Sequence, residues 1–365
     1  KKFIYPISTL YCTIIGVGIF ALPFVTLKVG FWVMLAYFLV LGAVVILIHL
    51  FYGELALLTP DFKRLPGFAK IYLGRTGQII AYISTILGIF GSLLAYLIVG
   101  GEFFTELLSS YFGGSNLLYT ILYFVVSSLL IFYGIKAIAR VEFWGLVLFL
   151  IILFVIFFRG VQFITIKNIF SSPDWPSLFL PYGIVLFSRW GAALIPEVEE
   201  MLGREKKLLK WVIPASIIIP VLVYLFFIFI VLGITGVQTT QTSLAGLKIA
   251  LGNGIVLLVL IFGLLTTFTS FIALGLTLKK VFWYDLKIPK NYAFIITCFP
   301  PLILFLLGLK SFISVISMVG GVMLGIDGIL ILLMYRKIKP KNLLVYPLIL
   351  VLLVGIIYEM IYFIR

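Results

Sequence analysis

Gly16-Val17-Gly18-Ile19-Phe20-Ala21-Leu22-Pro23 and Trp190-Gly191-Ala192-Ala193-Leu194-Ile195-Pro196 decide the fold of this chain. Each stretch lies well inside an apolar run, and in each a glycine precedes a proline by five residues. Glycine weakens a helix and proline removes a backbone donor, so each stretch predicts an interrupted helix. One such break alone reads equally well as a packing kink. Two at corresponding places of two halves are the sequence pointer to an inverted-repeat transporter site.

The surrounding composition places these breaks in a bilayer. Of 365 residues, 63% are hydrophobic and 11% charged, and the mean hydropathy is +1.28. A soluble domain needs far more polar surface, while apolar runs of about 20 residues, long enough to cross a bilayer, recur along the chain. The net charge of +14 is spread in small clusters between those runs, which reads as topology determinants and not as a nucleic-acid surface. Cys12 and Cys298 lie far apart in apolar segments and imply neither a disulfide framework nor a metal site. A cleaved leader is not expected, because the first apolar run lacks a small-residue cleavage site. A short piece preceding Lys1 is expected, since the numbering does not start at methionine.

Polar punctuation divides the chain into eleven expected spans, near 5–29, 31–58, 78–110, 116–135, 141–159, 178–202, 208–235, 254–284, 291–308, 311–335 and 342–363. Thr239–Leu251 is weakly amphipathic and is expected to form an external loop helix. Twenty of the 27 basic residues fall on one side of this arrangement, among them Lys63, Arg64, Lys206, Lys207, Lys339 and Lys341. That side is cytoplasmic by the positive-inside rule. The expectation is a multi-pass protein of the cell membrane with its N-terminus inside and its C-terminus outside. The whole chain forms one transmembrane domain, with a first repeat over about 5–159, a second over about 178–335 and an extra helix over about 342–363.

In that topology span one runs outward and span six inward, the antiparallel relation an inverted repeat requires. The half-helix restarting near Gly18 aims N–H groups and a positive dipole end at mid-membrane. A substrate carboxylate fits there, held by the backbone of Gly16, Val17 and Gly18 and by the Thr13 hydroxyl. The first half of span six is expected to end near Phe187 and to leave carbonyl oxygens for an α-ammonium group. Phe187, Ser188, Arg189, Trp190 and Gly191 complete the expected site, and a zwitterionic amino acid uses both ends.

At these residues a resemblance emerges. Gly16-Val17-Gly18-Ile19-Phe20-Ala21-Leu22-Pro23 with Gly30-Phe31 resembles the first-helix signature of the amino acid/auxin permease family. Leu180-Pro181-Tyr182-Gly183 through Ile195-Pro196-Glu197 is similar to that family's sixth-helix region, and the resemblance spans essentially the whole chain. It implies an all-α membrane protein with the LeuT-like five-plus-five fold of the amino acid–polyamine–organocation superfamily, plus an eleventh helix, working by alternating access. Arg189 departs from the family's pattern. It reads as a receptor for a substrate carboxylate, as a buried partner of Glu102, Glu106 or another acid, or as a side chain filling a cation site.

Phe268-Thr269-Ser270-Phe271 resembles the eighth-helix segment of sodium-coupled relatives. That implies a sodium ion between the Thr269 and Ser270 hydroxyls and the backbone oxygens of Cys12 and Ile15. The alternative is that these hydroxyls bond their own helix. The rival ion is a proton, for which Glu54, Glu102, Glu106, Glu197 and Asp327 are candidate carriers; His49, the lone histidine, reads as a packing residue. No metal-ligand cluster, nucleophile–base pair or phosphate loop is present, so an enzyme is not expected. The expected function is cation-coupled amino-acid transport without a bound organic cofactor, in contact with membrane lipid. A membrane receptor of the same fold that binds without transport is the alternative.

Overall fold

Apolar length and glycine–proline punctuation set the elements. The computed structural model describes residues 4–60, 63–134, 138–170, 174–243, 246–247 and 253–364. The chain forms α1 (Ile4–Ile14), α2 (Leu22–Val29), α3 (Phe31–Leu58), α4 (Leu65–Phe112), α5 (Asn116–Tyr133), α6 (Ile138–Gly160) and the single turn α7 (Ile166–Ile169). It continues as α8 (Pro181–Arg189), α9 (Ile195–Leu202), α10 (Leu209–Thr235), α11 (Asn253–Lys280), α12 (Lys290–Leu306), α13 (Phe312–Met318), α14 (Gly325–Ile338) and α15 (Val345–Ile364). A π-helical turn, Val319–Leu324, joins α13 to α14. No strand occurs among the described residues. Seven helical stretches among them are long and apolar enough to cross a membrane, and shorter apolar helices accompany them.

The outer surface is that of a lipid-facing protein. Leu39, Leu222 and Leu350 are 66%, 64% and 62% exposed, and α5 turns Leu118, Leu122, Val125 and Leu129 outward. The interior instead holds buried polar groups, including His49, Arg189, Asp327 and Glu359. A soluble protein inverts this distribution.

Two expectations are corrected and a third falls largely outside the described residues. Helix α4 begins at Leu65 and not near residue 78, but Gly74 within it has φ +74°, which favours glycine. The stretch before Gly74 is therefore an arm, and the crossing begins after it. Of the loop helix expected over Thr239–Leu251, Thr239–Ser243 is non-helical, Gly246 and Leu247 are helical, and residues 244–245 and 248–251 lie outside the described residues. The first half of span six extends to Arg189, two residues beyond Phe187.

Glycines bring the central helices into backbone contact. A Cβ on Gly320 would stand 1.8 Å from the Gly183 carbonyl oxygen, and one on Gly183 would stand 2.2 Å from that of Ser317. Main-chain atoms cannot rotate away, so α8 and the α13–α14 segment must separate to admit a methyl group. Gly320→Ala is expected to cost about 1–3 kcal/mol or more, measured as a lower thermal unfolding midpoint in detergent. Gly254→Ala, with open space around it, should not lower that midpoint.

Candidate functional site

Both interrupted spans follow one local plan. The α1 helix ends at Ile14, Gly16 is extended (φ −106°, ψ −157°), a 3-10 turn runs over Val17–Ala21, and α2 restarts at Leu22-Pro23. Likewise α8 ends at Arg189, Trp190 is extended (φ −83°, ψ 120°), a 3-10 turn covers Ala192–Leu194, and α9 restarts at Ile195-Pro196. Proline stands in the first turn of each second half, where its missing N–H has no intrahelical use. The paired glycine–proline spacing is the sequence imprint of this plan.

The two breaks touch. A Cβ on Gly18 would lie 2.9 Å from Ser188 Cβ, and one on Gly191 would lie 2.7 Å from Leu10 and 3.2 Å from Ile14. The backbone groups released there find partners on neighbouring helices. The Tyr224 hydroxyl of α10 stands 2.8 Å from the Ile14 carbonyl and 2.6 Å from that of Ser188, at the ends of both first halves. The Gly191 N–H donates to His49 Nε2 of α3 at 2.9 Å, and the imidazole meets Trp190 edge-on, with ring centroids 5.0 Å apart. The Val17 N–H points at the Tyr96 hydroxyl of α4 at 3.4 Å. Gly16 leaves room for that hydroxyl, which would lie 2.2 Å from an added Cβ.

A cavity of about 170 Å³ opens beneath the breaks. Thr13, Gly16, Gly18, Phe187, Ser188, Trp190 and Gly191 line it, with Tyr52, Tyr96, Ser270 and Asp327. Its far end reaches Arg64, Leu65, Pro66 and Val281, where Arg64 pairs with Glu197 at 3.7 Å and Asp285 at 3.9 Å. The opposite side is sealed. Phe20 packs edge-on against Phe103 and Phe227, at 5.1 and 6.1 Å between centroids. Above it the turn after α10 is pinned by Ser243 Oγ donating to the Phe20 carbonyl at 2.5 Å and by Thr242 Oγ1 donating to Glu102 at 2.8 Å.

Over residues 1–360 the sequence matches the tryptophan/tyrosine permease family. The chain belongs to that family. The permease is 25% identical over 330 residues to "Tyrosine-specific transport system 1" of Haemophilus influenzae, across 84% of this chain and 81% of that one. Among solved structures its fold is similar to that of Mhp1, a nucleobase-cation-symport-1 family transporter, in a closed conformation with bromovinylhydantoin bound. That likeness has a TM-score of 0.66 and 14% identity, over 90% of this chain and 77% of that chain. It is also similar to MhsT in complex with L-phenylalanine, with a TM-score of 0.56 and 15% identity over 99% and 97% of the two chains. The permease is thus a membrane transporter of the LeuT-like fold and not an enzyme. The narrower resemblance to amino acid/auxin permeases is replaced by this family.

Not every expected residue of the permease faces the cavity. Arg189 is turned away from it, 2% exposed, with its guanidinium donating to the Phe38 carbonyl of α3. Gly42 provides the notch, since a Cβ there would stand 2.3 Å from Arg189 Nη1. No described carboxylate forms an ion pair with Arg189, so neither Glu102 nor Glu106 is its partner. Val17 is buried with its N–H on Tyr96 and is not part of the lining. The Thr13 hydroxyl lines the cavity but donates to the Thr9 carbonyl at 3.0 Å. Of the expected cation ligands, Ser270 lines the cavity, whereas Ile15 and Thr269 do not, and the side chain of Cys12 lies outside what is described. The Thr269 hydroxyl donates to the Thr266 carbonyl at 3.1 Å.

Sequence reading missed Tyr224 and the roles of His49 and Tyr96, the latter standing out in sequence only as a candidate aromatic gate. Their signal is weak: each is one polar atom in an apolar span, and only the fold pairs it with a break. Tyr224→Phe should lower the unfolding midpoint by the equivalent of about 1–3 kcal/mol, because two buried carbonyls lose their donor, and ligand affinity should fall with it. Arg189→Ala should also lower the midpoint, while the ratio of tyrosine to glutamate binding stays at the wild-type value. A change in that ratio would return Arg189 to the site.

Proposed function

We propose that this permease carries an aromatic amino acid, tyrosine or tryptophan, across the cell membrane together with a cation, by alternating access. The observation that carries the reading is the cavity roofed by both interrupted helices. A substrate carboxylate is assigned to the start of the Val17–Ala21 turn, through the N–H of Gly18, with Gly16 and Thr13 beside it. The α-ammonium group is assigned to the carbonyl end of α8 at Phe187 and Ser188, where Tyr224 already holds the Ser188 oxygen. Tyr52, Tyr96, Phe187 and Trp190 on the lining suit an aromatic side chain, in keeping with the name of the Haemophilus relative. The termini are placed as the basic residues direct, N-terminus in the cytoplasm and C-terminus outside, with eleven crossings in two inverted repeats and an extra helix. In that orientation the cavity faces inward, and Phe20, Phe103 and Phe227 close the outer path.

Two stations are available to the cation. Sodium would take Ser270 and Thr269 with the backbone oxygens of Cys12 and Ile15, and the Thr269 hydroxyl would have to leave the Thr266 carbonyl. A proton needs only one carboxylate facing the cavity. The decisive experiment is uptake by the purified chain in proteoliposomes, with tyrosine, tryptophan, phenylalanine and glutamate under separate sodium and proton gradients. Aromatic uptake driven by one gradient, with glutamate excluded, is the expected outcome. Binding without accumulation under either gradient would instead make the protein a receptor.

A further inference from the structure

One buried acid in the cavity wall has no part in holding the amino acid. Asp327, on α14, is 8% exposed and lines the inner stretch of the cavity. Its Oδ1 accepts from Ser84 Oγ of α4 at 2.5 Å. No described Lys, Arg or His forms an ion pair with it. Facing it from α3 is Tyr52, which is within electrostatic reach of Asp327, Arg64 and Glu197. From α4 come the hydroxyls of Ser84 and Thr85, and from α11 that of Thr277. Beyond them, Glu54 of α3 pairs with Lys339, and Glu359 of α15 accepts from Ser317. A membrane interior neutralises an isolated carboxylate by pairing it or by protonating it. Here no pair is present among the described residues.

Ser84 is built to serve either charge state. Its oxygen also lies 3.2 Å from the Ala81 carbonyl. The single hydroxyl proton can go to an ionised Asp327. Alternatively it can turn to Ala81 while the oxygen accepts from the protonated acid. The neutral and the charged forms therefore both keep a hydrogen bond, so the proton can leave without stranding a polar group.

The path to this acid is polar on one face. Residues 84, 88, 92 and 96 of α4 line the cavity at four-residue spacing, and α11 contributes Ser270, Ala273 and Thr277. Thr85 Oγ1 lies on the same stretch, buried and with no hydrogen-bond partner among the described residues. From Tyr96 at the break to Ser84 the helix rises about 18 Å, well beyond one amino acid. Asp327 is thus a separate station and not a contact of the bound substrate.

We propose that Asp327, supported by Ser84, is the proton station of the transport cycle. Its carboxylate takes a proton from water on the hydroxyl-lined path below the breaks, forming an O–H bond. It releases that proton to water at the Arg64 mouth, which restores the carboxylate. The inference rests on the transport reading above and names its coupling ion and the residue that carries it.

The test uses the full chain in proteoliposomes with tyrosine and a pH gradient of about one unit, acid outside. With one proton per substrate, wild type accumulates tyrosine up to about tenfold, and an internal pH dye records the proton. Asp327→Asn should bring the ratio to about one while exchange of tyrosine across the membrane remains measurable. Ser84→Ala should keep accumulation but displace the pH midpoint of exchange. Wild-type accumulation by Asp327→Asn overturns the proposal, and so does wild-type uptake that follows sodium with no proton entry. If the asparagine variant does not fold, an unmoved pH midpoint in Ser84→Ala overturns it. Absence of exchange in wild type would overturn the transport reading itself, and the station with it.

Discussion

The rest of the structure depends on main-chain hydrogen bonding at the two breaks. A helix interrupted at mid-membrane exposes carbonyl and N–H groups where no bulk water can satisfy them, at several kcal/mol each. This chain answers with side chains from three other helices. Tyr224 serves the Ile14 and Ser188 carbonyls, His49 the Gly191 N–H, and Tyr96 the Val17 N–H. Because one hydroxyl stands between both first halves, α1 and α8 are tied at their carbonyl ends and move as neighbours. Packing then follows: Gly18 and Gly191 lie against the opposite break, and any larger residue would push the halves apart.

His49 illustrates how a site residue can look inert in sequence. Its Nε2 accepts a main-chain proton, so the ring is held as a neutral acceptor with its edge against Trp190. Trp190 is the extended residue of the second break, so the imidazole fixes the position of the aromatic wall as well as the N–H beside it. A lone histidine in an apolar span gives no hint of this, because its partner is 142 residues away.

The interrupted helices were legible because glycine and proline act locally, through φ and the missing donor, and the same spacing in both halves repeats the same local plan. The lipid-facing surface was legible for a similar reason, since apolar length is a property of each segment alone. Arg189 was not. Its placement near a break suggested the cavity, but the side chain leaves a helix radially, and Gly42 on α3 offers a notch that takes the guanidinium. The direction of a side chain is a tertiary fact. The same applies to Thr269, whose hydroxyl bonds its own helix, a choice that local spacing permits but does not decide.

The two ends of the cavity are held by different physics, and that difference suits the proposed alternation. The sealed side rests on edge-on contacts of Phe20 with Phe103 and Phe227, each worth about 0.5–1.5 kcal/mol beyond area burial, and on two hydroxyl hydrogen bonds. At the other mouth, Arg64 reaches Glu197 and Asp285 at 3.7 and 3.9 Å, with all three side chains about a quarter exposed or more. Pairs so wet and so long contribute about 0–1 kcal/mol. A few kcal/mol therefore separate opening at one end from opening at the other. That is the range in which a bound ligand can shift a two-state equilibrium. The tightly held breaks and the weakly held ends belong together, since a carrier must keep its binding geometry while its gates change.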